Sequence, residues 1–278
     1  MRPKALGLST RPRVGAGTRP DGRVLARESV PFLFLFLESL MKCLSTSILL
    51  AGALSMGVAS QLSANPDLYT DSANDIATGI ATAGGTLDIL SLEITNNSSD
   101  IVFKLTVNGS VNATDWGKFM IGMAQGGAAA SNGNGWGRPI NMDAPNGGMT
   151  RWIGSWVDGG GGAENRVFSG GSWSLAGATY NSNFGSFAFA GNEMTYTMSL
   201  SSLGLNLGDT FYFDAYSSGG GGGDSAVDAL ANPNSSINGW GDTYTSSGSN
   251  IFSYTVVPAP GVLALAGVAG LLRRRRTR

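Results

Sequence analysis

Leu90, Leu92 and Ile94 alternate with Ser91, Glu93 and Thr95; after the turn-forming run Asn96-Asn97-Ser98-Ser99-Asp100, Ile101, Phe103, Leu105 and Val107 alternate with Lys104, Thr106 and Asn108. A period of two places the apolar side chains on one face of an extended strand, so the stretch predicts a hairpin with one face for a core. The same alternation marks Phe119-Ile121-Met123, Met194-Tyr196-Met198-Leu200, Phe211-Phe213-Ala215 and Phe252-Tyr254-Val256, and Arg151 to Val157 also reads as extended. No useful window holds a period of 3.6. Roughly eight to eleven short strands between Gly, Asn, Ser and Asp turns predict an all-β domain over residues 65–256, a two-sheet antiparallel sandwich. Jelly-roll and immunoglobulin-like topologies both fit this pattern.

The two ends break the pattern and read as addresses. Met41-Lys42, the apolar run Ile48 to Ala59 and small residues through Ala64 have the layout of a secretory signal peptide over 41–64, with Ala59 and Ala64 both acceptable as the last residue removed by signal peptidase. Residues 1–40, with the run Phe32 to Leu37, precede that signal as an upstream extension or as a long basic n-region, outside the fold on either reading. At the other end, Val257-Pro258-Ala259-Pro260-Gly261 leads into the apolar segment Val262 to Leu272 and then Arg273, Arg274, Arg275 and Arg276. Eleven helical residues reach about 16 Å, half of a bilayer core of about 30 Å, and a basic cluster after them stays on the cytoplasmic side. The order of elements in 257–278 resembles the PEP-CTERM sorting signal, with Ala259 where that signal usually has Glu. The resemblance implies transient membrane insertion as a short C-terminal helix, cleavage by an exosortase-like enzyme near Pro258 and Pro260, and delivery to the cell surface or matrix.

Composition narrows the chemistry. The chain has no His, and its single Cys, Cys43, falls inside the signal, so the exported part has no imidazole base, no thiol nucleophile and no His- or Cys-ligated metal. Residues 65–257 hold five basic and 16 acidic side chains, a net charge of −11, which repels phosphate backbones and argues against nucleic-acid binding. Only three Glu occur there, Glu93, Glu164 and Glu193, separated by at least 29 residues, and no close Glu-x-Asp-x-Glu strand motif of a glucanase is present. A non-catalytic protein is the expectation; a glycoside hydrolase built on Asp pairs is the alternative.

Glycine is dense: 33 of the 42 lie in 65–257, clustered in Gly126 to Gly148, Gly159 to Gly162 and Gly219 to Gly223. Such runs are costly to order, so they predict flexible surface loops unless something pins them. Two phrases recur. Asp71-Ser72-Ala73-Asn74-Asp75 is echoed by Asp224-Ser225-Ala226-Val227-Asp228, and Asn134-Gly135-Trp136-Gly137 by Asn238-Gly239-Trp240-Gly241. The oxygens of Asp71, Asn74, Asp75, Asp224 and Asp228 are candidate ligands for Ca²⁺, a hard cation that takes six to eight of them; Asx-turn capping explains the same residues without an ion.

All six Trp lie in the exported part. Trp136 and Trp240, flanked by glycines in Asn-rich loops, are the first candidates for stacking on a sugar, ahead of Trp152 and Trp156, which share one face of a strand about 13 Å apart. Core packing is the competing role for each. Leu87-Asp88-Ile89 with Leu92 to Thr95, the Ile101-Val102-Phe103 strand, and Tyr196 to Leu205 leading into Gly208-Asp209-Thr210-Phe211-Tyr212-Phe213 resemble the carbohydrate-binding family 9 and DOMON-like sandwich superfamily. That resemblance implies a sugar or haem ligand on the sandwich, and the lack of His argues against haem. The expectation is therefore an exported surface protein that binds polysaccharide, without a catalytic site and without a cofactor, Ca²⁺ being the one candidate ion; a purely structural matrix component is the alternative.

Overall fold

The computed structural model describes residues 65–258, apart from 77–78, 81–84, 127–129, 182, 235–236 and 249. The signal-like segment 41–64, Pro260, Gly261, the apolar tail and Arg273 to Arg276 lie outside the described residues; Pro258 is exposed at their edge. No helix among the described residues is long and apolar enough to cross a membrane.

Strands dominate, and the first sheet is wholly antiparallel. It runs in the order β1 (Asp67–Thr70), β2 (Ile89–Asn96), β3 (Asp100–Val107), β10 (Glu193–Ser199) and β9 (Ser186–Ala190). The β2–β3 hairpin forms where the alternation predicts it, with Leu92 opposite Leu105 and Ile94 opposite Phe103. Between them Asn97 closes the turn, its Oδ1 accepting from the Ser99 and Asp100 N–H groups at 2.7 Å each. The second sheet runs β12 (Ala226–Ala229), β11 (Thr210–Ser218), β4 (Lys118–Gln125), β6 (Arg151–Trp156), β7 (Gly162–Ser169) and β8 (Ser172–Ala178). A further strand, β14 (Phe252–Thr255), pairs with Thr210 to Phe213, while β12 pairs with Tyr216 to Ser218, so both strands line the same edge of β11 in succession.

The two sheets face each other. Phe103 meets Phe211 with ring centroids 6.4 Å apart, and the Ser155 and Tyr196 hydroxyls lie 2.7 Å apart across the interface. Ile94, Phe103, Leu105, Tyr196 and Met198 from one sheet, and Phe119, Ile121, Ile153, Phe211 and Phe213 from the other, are fully buried. Each such large side chain contributes roughly 1.5–3 kcal/mol by leaving water.

One expectation needs amendment. The strands are not confined to two antiparallel layers, because β5 (Ile140–Asp143) and β13 (Tyr244–Ser247) form a separate parallel pair. This pair and the long β4–β6 connection cover the outer face of the second sheet. Met120 and Ala124 on that face are as buried as their inward neighbours. Asp214 fastens the cover: buried in β11, it accepts from Ser246 Oγ at 2.5 Å and from the Ala231 N–H at 3.0 Å, while the Tyr216 hydroxyl lies 2.9 Å from Ser246 Oγ. Burial pushes the Asp214 carboxyl up to about 7, partly offset by these hydrogen bonds. A four-residue helix, α1 (Leu200–Leu203), connects β10 to β11; Ser199 caps its start and left-handed Gly204 ends it.

Candidate metal centre

The first acidic phrase follows β1 directly. The Asp71 N–H donates to the Leu90 carbonyl at 2.9 Å, which holds the phrase against the start of β2. Asn74 has φ 66°, the only positive value among described non-glycine residues, and its N–H donates to Asp88 Oδ2 at 2.9 Å. The left-handed turn folds the phrase back on itself, a conformation Asn tolerates better than most residues. From the other sheet, β12 presents Asp228. One carboxylate oxygen from each of Asp71, Asp75 and Asp228 lies within 4.8 Å of the others, although Asp228 is more than 150 positions further along the chain.

Hydrogen bonds hold Asp228 and Asp71 in place, while burial favours their protonated forms. Asp228 is buried; its Oδ2 accepts from the Ile89 N–H at 2.6 Å and its Oδ1 from the Ala229 N–H at 2.8 Å. Asp88, 2% exposed, accepts from Asn74 and from Asn108 Nδ2 through Oδ2, but its buried Oδ1 has no hydrogen-bond partner among the described residues. Asp71 Oδ1 accepts from the Ser72 N–H at 2.7 Å, and its Oδ2 is likewise buried without a hydrogen bond. Burial, with smaller repulsions from Asp75, Asp214 and Asp88, pushes Asp71 up to about 7. Asp228 is pushed up to about 9 by burial, then by Asp75 and Asp71, and Asp75 is raised by burial and by Asp88.

Among the described residues, no cationic side chain forms an ion pair with Asp71 or Asp228. An all-oxygen donor set of converging carboxylates suits a hard divalent cation, Ca²⁺ before any metal that prefers nitrogen or sulfur. A cleft of about 300 Å³ lined by Thr70, Asp71, Ser72, Pro233 and Phe252 opens beside Asp71 and gives an ion a way in.

Of the five residues expected to supply oxygens, the fold brings Asp71, Asp75 and Asp228 together. Asn74 acts through its backbone, its side-chain oxygen lying 3.4 Å from Asn108 Nδ2. Asp224 is a correction: its Oδ2 accepts from the Gly221 N–H at 2.7 Å, so it organises the glycine loop instead of joining the cluster. Asp88 is not one of the three converging carboxylates; it borders them through its bond to the Asn74 N–H, and its place between Leu87 and Ile89 at the start of an apolar strand marks it in the sequence as a charge to be buried.

The tryptophans have structural partners. Trp152 is fully buried, stacked on Tyr216 with centroids 5.9 Å apart, so it has no face for a sugar and the expectation of one is withdrawn. Trp136 lies edge-on to Trp152 at 6.1 Å, covers Gly154, donates its indole N–H to Glu164 and carries the Arg138 guanidinium 5.5 Å from its ring centre. Trp240 lies edge-on to Trp116 at 6.2 Å and covers Gly219. Both loop indoles are half-buried, not presented outward as their flanking glycines suggest. Trp156 is half-buried against Gly162, its neighbour across the β6–β7 pair. No protein-family model matches the chain, and no curated protein matches it either.

Proposed function

We propose that this is a non-catalytic exported protein of the cell surface or extracellular matrix, whose sandwich is clamped by Ca²⁺ and binds carbohydrate. The convergence of Asp71, Asp75 and Asp228 carries the calcium part of this reading. These residues join the edge of the first sheet at β1 to the edge of the second sheet at β12, so an ion there ties the two layers at the last strand of each among the described residues. Export is supported by the signal-like segment 41–64 and the sorting-like tail 257–278, with signal peptidase and an exosortase-like enzyme as processing partners. A non-catalytic role is supported by Glu164, one of three exported Glu, whose Oε1 is occupied by Trp136 and Arg166.

The test is thermal unfolding of the full chain with chelator and with millimolar Ca²⁺. A ligand at a hundred times its dissociation constant adds about 2.7 kcal/mol, which for a domain of this size is a rise of roughly 5–10 °C. The Asp71→Asn variant should lose that rise, because it keeps the Ser72 hydrogen bond through Oδ1 while removing a charge from the cluster. An equal rise in wild type and variant, or none in wild type, rejects the calcium clamp.

A further inference from the structure

Resting on the carbohydrate-binding part of the proposed function, we infer that the cleft around Arg151 receives an anionic saccharide unit, gripping its carboxylate or sulfate group. The observation behind this is a mismatch in charge pairing. The body has 16 acidic side chains for five basic ones, so every cation has a choice of carboxylates. Lys104 lies 3.6 Å from Glu93 and 3.7 Å from Glu193, Lys118 pairs with Asp158 at 2.9 Å, and Arg166 pairs with Glu164 at 2.5 Å. Arg138 donates to Ser218 Oγ and the Asp224 carbonyl and lies over Trp136. Among the described basic side chains of the body, that of Arg151 alone has neither a carboxylate nor a hydrogen-bond partner.

Arg151 is not simply left in water. It is half-buried at the start of β6, on the face that points between the sheets, and its Nε is fully enclosed without an acceptor. Burial lowers its affinity for the proton with no neighbouring charge to offset the effect. The enclosed Nε–H has lost hydration without regaining a hydrogen bond, which is costly, while the rest of the half-buried guanidinium is open to a ligand.

The space in front of it suits such a ligand. Gln125, Gly126, Gly204, Leu205, Asp209 and Thr210 surround Arg151 in a cleft of about 520 Å³, within the size range of small-molecule sites. A Cβ on Gly204 would lie 3.0 Å from Arg151 Nη2, so glycine at that helix end leaves the guanidinium room. Gln125 is fixed by donating to the Leu203 carbonyl at 2.8 Å, and Asp209, the one acid in the cleft, accepts from the Asn206 N–H and Nδ2 at 2.8 and 3.3 Å. Arginine's planar fork matches a carboxylate or sulfate with two parallel hydrogen bonds, and the polar lining suits the hydroxyls beside it. The net charge of −11 opposes a polyanion at long range, a repulsion that physiological salt screens.

The experiment is titration calorimetry of the full chain at physiological ionic strength with trigalacturonate, with neutral galactotriose and with inorganic sulfate, on wild type, Arg151→Gln and Arg151→Lys. Trigalacturonate should bind wild type, Arg151→Gln should weaken it at least tenfold, and Arg151→Lys should lose less; galactotriose should bind at least tenfold more weakly than trigalacturonate. Arg151→Gln should also melt no lower than wild type, because it removes an unpaired charge. Trigalacturonate binding unchanged in Arg151→Gln overturns the inference, as does sulfate binding as tightly as trigalacturonate, which would mark a free-anion site. Equal binding of galactotriose and trigalacturonate overturns the inference while leaving carbohydrate binding standing. Absence of binding by either trisaccharide rejects both.

Discussion

At Glu164 one carboxylate ties together three segments of the chain. Its Oε1 accepts from the Trp136 indole and from Arg166 Nε at 2.5 Å, and its Oε2 lies 3.5 Å from the Tyr180 hydroxyl. Trp136 in turn lies over Gly154, the only kind of residue that leaves the indole this close to β6. Trp136→Ala should therefore cost roughly 2–4 kcal/mol through lost burial and lost hydrogen bonding. Gly154→Ala should also destabilise strongly, since its Cβ would overlap the same ring, yet in a Trp136→Ala background it should cost little. Denaturant unfolding of the two single variants and the double variant measures this coupling, and additive effects would remove the proposed packing role. The sequence pattern around Trp136 was legible as a turn, because Asn134 Oδ1 does accept from the Trp136 N–H at 2.9 Å. Where the indole went was not legible: its seat is a glycine of a strand that the loop only later reaches.

Among the loops, Gly219 to Gly223 shows how side chains of the same chain pin a glycine run. Asp224 turns back to hold the Gly221 N–H, a Cβ on Gly219 would sit 2.7 Å from Trp240 Cζ3, and one on Gly220 would meet Trp116 at 3.2 Å. None of the five has a positive φ; Gly222 and Gly223 face open space. Their roles thus divide. Gly222→Ala should stabilise by about 0.4–1 kcal/mol by restricting the unfolded chain, whereas Gly219→Ala should destabilise by more than about 1 kcal/mol through overpacking. Chemical denaturation of the two variants checks this, and equal effects would mean that the loop is not pinned. The recurring Asn-Gly-Trp-Gly phrase places an indole over a glycine in both copies, but the turns differ: Asn134 organises the first, while Asp242 Oδ2 accepts from Asn238 and Gly239 in the second. Short similar phrases reveal a shared local need, not the long-range contact that meets it. The β2–β3 hairpin was legible because its partners adjoin in sequence and one face is polar. The β5–β13 pair was not, as its strands are four residues each, more than a hundred positions apart. Its trace in the sequence is the unbroken run Phe119 to Ala124 on β4, which is the mark of a strand covered on both faces.

For the molecule as a whole, the buried carboxyls make stability depend on protons and, through the proposed clamp, on calcium. The carboxyl of an unfolded Asp ionises near 3.8, whereas folding pushes Asp71 and Asp214 to about 7 and Asp228 to about 9. Between those values the calcium-free folded protein holds protons that the unfolded chain has released, so its stability falls as pH rises from about 4 to about 9. In the proposed clamp, calcium would replace the protons on Asp71 and Asp228 but not the one on Asp214, which lies under the β13 cover bonded to Ser246. With chelator, the melting temperature should therefore decline steadily from pH 5 to pH 9. With millimolar Ca²⁺ the decline should be confined below about pH 7, where Asp214 still titrates, and the gap between the two curves should widen with pH. Calcium binding should release protons, measurable as a dependence of the calorimetric heat on buffer ionisation enthalpy. Parallel melting curves with and without the ion would show that the carboxylates of Asp71, Asp75 and Asp228 do not share a cation, whatever holds the two sheet edges together.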